Sequence, residues 1–390
     1  MKLHNYLATP PKMGPLNLLI MQSTGFCNFA CTYCYLTKES RAQRGRMSMD
    51  VVEETFKNLF GSKIPHDQFT VVWHAGEPLA AGIPFYEKAF ELIERLRPDY
   101  CKISHSFQTN GSLIDQKWCD FIKKWAVSVG LSVDGPKQLH DLHRIDKIGE
   151  GSFNRAEQAM DLLRSNGIPF SSIAVVTKAT LDNPHPFIDY FTTKSFSTTA
   201  FNIEETEGFN IKSSLECDKG SERFRDFIRA YYLQAKASGT RVREFRATEQ
   251  TILHPIKRTS SQSIPMTLIN VAMNGDYSTF SPELLTMESR NYGSFVFGNV
   301  IKDRFDDIWK NENFQHVYAD IQAGIRVCHK TCDYFEFCGG GHPSNKFSEN
   351  GSFNSAETMH CRLLKKDMLM VIAQAIQAER DAQSEVIHAK

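Results

Sequence analysis

From residue 16 onward, short apolar runs alternate with amphipathic stretches. LNLLIMQ (16–22) predicts a buried strand, and MDVVEETFKNLFG (49–61) a helix whose apolar positions recur at helical spacing. FTVVWH (69–74), KISHSFQ (102–108), VSVGLSV (127–133), SSIAVVT (171–177) and TTAFNI (198–203) continue the strand series. Between them PFYEKAFELIERLR (84–97), DQKWCDFIKKWA (115–126), SFNRAEQAMDLLRSNG (152–167) and NPHPFIDYFTTKS (183–195) read as helices. Asp115 is a start signal and Asn166-Gly167 a stop signal. Six such βα units imply a parallel sheet, either barrel-like or doubly wound.

The polar residues choose between the two. Chemistry in a barrel gathers at the C-terminal strand ends. Here those ends read Gln22-Ser23-Thr24, His74-Ala75-Gly76-Glu77, Gln108-Thr109-Asn110, Ser132-Val133-Asp134 and Thr177. One rim carries nearly all the reactive groups of the first half, which favours a partial (β/α)6 TIM-like barrel over residues 15–205. Residues 1–14 are a short lead-in, too short for a separate peptide-recognition domain. Residues 206–265 form a helical bridge, with GSERFRDFIRAYYLQAKAS (220–238) as a helix and KRTSSQSIP (257–265) as a polar boundary. A smaller second domain, 266–390, opens on a hairpin turned by Asn274-Gly275 and ends in a helix over 361–383.

Composition narrows the class. Lys plus Arg and Asp plus Glu number 45 each, so no global field favours nucleic acid or anionic lipid. The N-terminus lacks the features of a signal peptide, and no stretch has the length of a membrane span. The expected location is the cytoplasm, with neither nucleic acid nor membrane as partner. Ten cysteines in a reducing compartment point to metal or catalysis before disulfides. Cys101, Cys119 and Cys217 stand alone and read as small apolar side chains. The other seven fall into two groups.

Cys27, Cys31 and Cys34 follow the first strand as C-x3-C-x2-C. A 4Fe–4S cubane normally takes four thiolates, so three leave one iron open to a small molecule. This spacing, with Tyr33 before the last cysteine, resembles the signature of the radical S-adenosylmethionine (SAM) enzymes. In that family the open iron takes the amino and carboxylate groups of SAM, and the cleaved cofactor yields a 5′-deoxyadenosyl radical. Ala75-Gly76-Glu77-Pro78 resembles the family's GGEP segment, with Ala for the first Gly. Ser132-Val133-Asp134-Gly135-Pro136, then His140-Asp141 and Arg144, resembles the S-x-D-G-P…H-D…R stretch of its peptide-modifying branch. The resemblance implies SAM contacts at Tyr33, Ala75, Gly76, Glu77, Asn110, Ser132, Asp134 and Arg144. The Arg144 fork suits a carboxylate.

Cys328, Cys332, Cys338 and Cys361 supply four ligands, enough to close a metal site. Zinc is the alternative to iron–sulfur here. The run CHKTCDYFEFCGGGH…C resembles the auxiliary-cluster (SPASM) domain of radical SAM peptide modifiers. That domain usually carries seven cysteines and two clusters. His342 stands where the family has a further Cys, and the hairpin ends in Ser281-Pro282-Glu283 rather than in a cysteine. The resemblance therefore implies one auxiliary 4Fe–4S cluster, fully ligated and limited to passing electrons, with His342 in a structural or ligand-supporting place.

NGDYSTFSPELL and CGGGH look most like the maturases that build cyclophane crosslinks in ribosomally made peptides, the Grr type acting on Gly-rich precursors. There a hydrogen leaves a side-chain carbon, the radical adds to an aromatic ring, and rearomatisation releases an electron and a proton. Glu283 is the candidate base. An external one-electron reductant such as flavodoxin or ferredoxin is implied. Sulfatase maturation to formylglycine and thioether formation use the same scaffold and are the enzymatic alternatives. An iron–sulfur electron-transfer or binding module is the non-enzymatic one.

Overall fold

The computed structural model describes residues 12–254 and 259–388. Residues 1–11 of the expected lead-in, 257–258 of the polar boundary and 389–390 of the second domain lie outside them. The six strands are β1 (Leu18–Met21), β2 (Gln68–Trp73), β3 (Lys102–Thr109), β4 (Ser128–Ser132), β5 (Phe170–Val176) and β6 (Thr199–Ile203). They pair in chain order, each parallel to the next. A doubly wound sheet reverses its strand order at a switch point. This one does not, and the chain winds as the expected partial barrel.

The crossovers carry α1 (Met49–Phe60), α2 (Ile83–Leu96), α3 (Gln116–Trp125), α4 (Phe153–Ser165) and α5 (His185–Thr193). Side-chain caps fix where two of them begin. Ser48 Oγ accepts from Val51 N at 3.2 Å, and Asp115 Oδ1 from Trp118 N at 2.9 Å. Between helices and sheet lies an aromatic core. Trp73 meets Tyr86 edge-on at 5.1 Å, and Tyr86 meets Phe107 at 4.8 Å. All three are fully buried, each such ring stabilising the fold by about 1.5–3 kcal/mol. Cys119 is buried in this core, and Cys101, also buried, is not merely apolar, since its thiol donates to His66 O at 2.9 Å.

After β6 come α6 (Gly220–Ser238) and α7 (Arg243–Leu253). The hairpin strands β7 (Leu268–Val271) and β8 (Asp276–Thr279) follow. Gly275, at φ +90°, makes their turn. β7 lies parallel to β1, with Leu19 opposite Ile269. The sheet thus runs on through the hairpin, and the boundary expected near residue 265 falls on a connection between two of its strands.

The remainder is mostly helical. It includes α8 (Glu312–Thr331), α9 (Pro343–Asn350) and α10 (Met368–His388). The closing helix begins at Met359–Cys361 and passes through a π-helical turn at Arg362–Asp367 before α10. Such turns are rare and recur at functional sites. No helix among the described residues is long and apolar enough to cross a membrane.

Candidate active site

The three thiols sit in a loop that β1 delivers to the C-terminal rim. The loop is pinned from three sides. Cys27 N donates to Arg41 O at 3.0 Å, and Ala30 N donates to Ile145 O at 2.8 Å. Asn28 Nδ2 donates to Ser112 Oγ at 2.8 Å. Cys27, Cys31 and Cys34 all line one cavity of about 310 Å³. Burial pushes Cys27 up to about 12, with Glu77 adding to the rise, and Cys31 up to about 11. An iron ion binding here must displace thiol protons, so affinity rises with pH.

Opposite the thiols, the segment after β2 enters the cavity. Gly76 has φ +61°, and a Cβ there would stand 2.6 Å from Phe26 O and 2.8 Å from Gly25 O. Only glycine lets this backbone approach the thiol loop so closely. Ala75 is also left-handed, at φ +71°, a conformation that suits the first glycine of the GGEP pattern this segment resembles. Glu77 is buried, and its carboxylate is spent on the protein. Its Oε1 accepts from Leu79 N (3.0 Å) and Thr109 Oγ1 (2.6 Å), and its Oε2 from Asn110 N (2.9 Å). Burial raises it to about 7 against those donors. Asn110 lines the cavity, with its side chain donating to Asn28 Oδ1 at 2.9 Å. Both residues brace the thiol loop.

Arg144 lines the cavity and is nearly buried. Its Nη2 donates to Asp134 Oδ1 at 3.0 Å, while its Nε is buried without a hydrogen-bond partner. Asp134 uses only part of the donor fork of this wall residue, which suits it to an incoming carboxylate. Asp134 stands behind the wall. Its Oδ1 also accepts from Val175 N at 2.9 Å, and its Oδ2 accepts from the Tyr33 hydroxyl. Asp134 therefore ties β5, Arg144 and the thiol loop together. Ser132 faces the cavity and accepts from Gln108 Nε2 at 3.0 Å. His140 and Asp141 support this segment from outside: His140 bonds Ser152 Oγ at 3.0 Å, and Asp141 Oδ1 accepts from Phe153 N at 2.8 Å.

Glu283 reaches the same cavity because the β7–β8 hairpin docks on β1. The Ser281 hydroxyl donates to its Oε2. Three carboxylates outside the sequence motifs join it there, Glu204, Glu205 and Glu207. Asn345 Nδ2 donates to Glu205 Oε2 at 2.9 Å and to Glu207 Oε1 at 3.5 Å, which holds these two carboxyl groups side by side. Burial lifts Glu205 to about 7, and lifts Glu207, with Glu283 beside it, well above the usual carboxylate range. Burial raises Glu283 as well. A sign was available in the sequence: Glu204-Glu205-Thr206-Glu207 follows the sixth strand directly, on the reactive rim.

The four later cysteines gather elsewhere. Cys328 lies in the last turn of α8, and Cys332 N donates to its carbonyl at 2.9 Å. Cys338 ends the short helix Phe335–Cys338. Burial pushes Cys361 up to about 12, with Cys338 and Cys332 close enough to add to the rise. Among the described residues no three His, Cys, Asp or Glu side chains converge as the ligands of a single ion must. Four thiols on a cubane each meet a different iron. His342 lines a second cavity beside Cys338 and packs against His360, ring centroids 4.7 Å apart.

Comparison with known proteins agrees with this geometry. The Radical SAM superfamily model matches residues 21–191. An uncharacterized protein of Synechocystis sp. is 40% identical over 376 residues, covering 93% of both chains. The cysteine-type anaerobic sulfatase-maturating enzyme of Clostridium perfringens is 29% identical, covering 84% of this chain and 89% of its own. Among solved structures, native anSMEcpe with bound AdoMet and Cp18Cys peptide superposes with a TM-score of 0.74 at 25% identity, over 95% of this chain and all of that one. Streptococcus suis SuiB bound to its precursor peptide SuiA gives 0.61 at 15% identity, over 90% and 76%, a likeness of fold. With the thiol loop, the glycine approach and the Arg144 guanidinium on one rim, the chain belongs to the radical SAM superfamily of enzymes.

Proposed function

We propose that this enzyme matures a ribosomally made peptide by joining a side-chain carbon to an aromatic ring, forming a cyclophane. When bound, SAM and the thiol-ligated 4Fe–4S clusters supply a hydrogen-abstracting radical and an acceptor for one electron. The chain's own residues do the rest. Cys27, Cys31 and Cys34 hold the radical-generating cluster, Arg144 takes the SAM carboxylate, and Gly76 gives the cofactor backbone access. Cys328, Cys332, Cys338 and Cys361 hold the auxiliary cluster.

The observation that carries the reading is the set of buried carboxylates sharing the cavity with the three thiols. Closing a bond onto an aromatic ring leaves one electron and one proton to remove. Glu283, with Glu205 and Glu207 beside it, forms a buried group of carboxyls whose hold on protons burial strengthens, so it can accept one. The peptide as substrate is supported by the relatives, since both anSMEcpe and SuiB have been solved with bound peptide.

Sulfatase maturation is favoured by one observation, the 29% identity to the C. perfringens enzyme. One experiment separates the two. The enzyme is coexpressed anaerobically with a small peptide encoded nearby, and the product is fragmented in a mass spectrometer. A crosslink removes two hydrogens, leaves no aldehyde, and makes the bridged interval resist fragmentation. A product that reacts with hydrazine and fragments freely is formylglycine and overturns the crosslinking assignment.

A further inference from the structure

The distal thiols lie among three lysines, and one of these, Lys346, is not neutralised by any described carboxylate. Lys346, on α9, is 3% exposed, and its Nζ donates to Cys328 Sγ at 3.2 Å. Among the described residues it makes no ion pair with a carboxylate. The backbone makes room for it. A Cβ on Gly324 would stand 3.2 Å from the ammonium, and one on Gly341 3.7 Å from Lys346 Cε. Lys365 lines the second cavity with Cys338 and lies in the field of Cys338 and Cys361. Lys366 faces Cys332 and Cys361 but is also held by Glu357.

A buried ammonium is expensive unless an anion faces it. Here the facing group is a thiol, and the anion is the thiolate that a metal cluster requires. A positive charge and an N–H···S bond both stabilise the state with one more electron. Cluster potentials respond to local charge and to hydrogen bonds on the sulfurs. We infer that Lys346 sets the potential of the distal cluster, holding it high enough to take the electron released when the substrate ring regains aromaticity. In that step the ring loses one electron to the oxidised cluster and one proton to the cavity carboxylates. The inference rests on the reading that these four thiols hold a 4Fe–4S cluster.

The test uses the full chain, anaerobically reconstituted, with Cys27, Cys31 and Cys34 replaced by Ala so that the distal signal stands alone. Iron is counted first. A parent without iron overturns the cluster assignment and this inference with it. In a parent with iron, midpoints are read by redox titration followed with electron paramagnetic resonance. Lys346→Met lowers the midpoint so that, at fixed poise, the reduced-to-oxidised ratio falls about tenfold, which is about 59 mV for one electron. Lys346→Arg keeps the charge and stays near the parent. Lys310→Met removes a lysine whose side chain is 78% exposed and leaves the midpoint in place. An unmoved midpoint in Lys346→Met at full iron content overturns the inference. If Lys346→Met loses iron, Lys346→Gln, which keeps an N–H donor without the charge, is titrated instead, and a lowered or unmoved midpoint decides in the same way.

Discussion

Arg144 and Asp134 form an ion pair at 3.0 Å in which the side chains are 10% and 3% exposed. The pair is asymmetric in function, since only Arg144 lines the cavity. Removing the cation leaves Asp134 buried and uncompensated, which destabilises by about 3–5 kcal/mol. Arg144→Ala should therefore lower both the denaturant midpoint and SAM affinity, the latter roughly ten- to a hundredfold. Asp134→Asn should weaken SAM binding as well, although Asp134 makes no cavity wall. Calorimetric titration with SAM on iron-loaded protein checks both. Full affinity in Asp134→Asn excludes it as the residue that positions Arg144.

The adjacent residues Ala75 and Gly76 should respond oppositely to exchange. A left-handed alanine costs about 1 kcal/mol or more, and glycine relieves that while gaining freedom in the unfolded chain. Ala75→Gly should leave stability within about 1 kcal/mol of the parent. Gly76→Ala drives a Cβ onto two carbonyl oxygens and should destabilise by more than about 2 kcal/mol. Chemical denaturation of both variants tests the contrast.

Two thiol groups of different ligation predict an iron count. Anaerobically reconstituted protein should hold about eight irons, and the Cys27/Cys31/Cys34→Ala variant about four. Metal analysis decides, and zinc at the four distal thiols contradicts the second cluster.

Of this site, the sequence showed the cysteines and the glycine approach plainly, because spacing and local backbone needs are written in adjacent residues. It could not show what Asp134 does. That both its oxygens are already taken depends on β5 and on Tyr33, each brought near by folding. Lys346 was equally hidden: in PSNKFSEN it reads as one more polar surface residue, and only packing against Cys328 buries it. The strands were legible from their apolar runs, whereas the pairing of β7 with β1 joins segments some 250 residues apart and leaves no local sign.

Glu283→Gln keeps a hydrogen-bonding side chain that cannot take a proton. In single turnovers it should still release 5′-deoxyadenosine, with deuterium from the substrate carbon in it. Crosslinked peptide should fall about a hundredfold or more. Normal crosslinking places the base elsewhere, with Glu205 and Glu207 the next to replace. Loss of 5′-deoxyadenosine too assigns Glu283 to binding.

His105 offers a pH test remote from the thiols. It is stacked on Phe90 at 4.0 Å, and burial holds it down to about 3, against an ordinary value of 6.5. The unfolded state then binds the extra proton first, so this site's contribution is full above pH 6.5 and is lost as pH falls toward 3. At pH 5 the loss is about 2 kcal/mol. The stability difference between wild type and His105→Gln should shrink by that amount between pH 7.5 and 5, as read from paired denaturation curves.

The parallel pairing of β7 with β1 has a consequence for dissecting the molecule. The strand that feeds the thiol loop is covered on one side by β2 and on the other by a segment from the second half of the chain. A fragment cut after β6 would carry every SAM-facing motif and yet leave Leu18–Met21 with a row of bare backbone donors and acceptors. Such an edge invites pairing with other chains. The halves that look separable in the sequence are thus poor candidates for separate expression, and swapping the second half between relatives exchanges part of the wall around the radical.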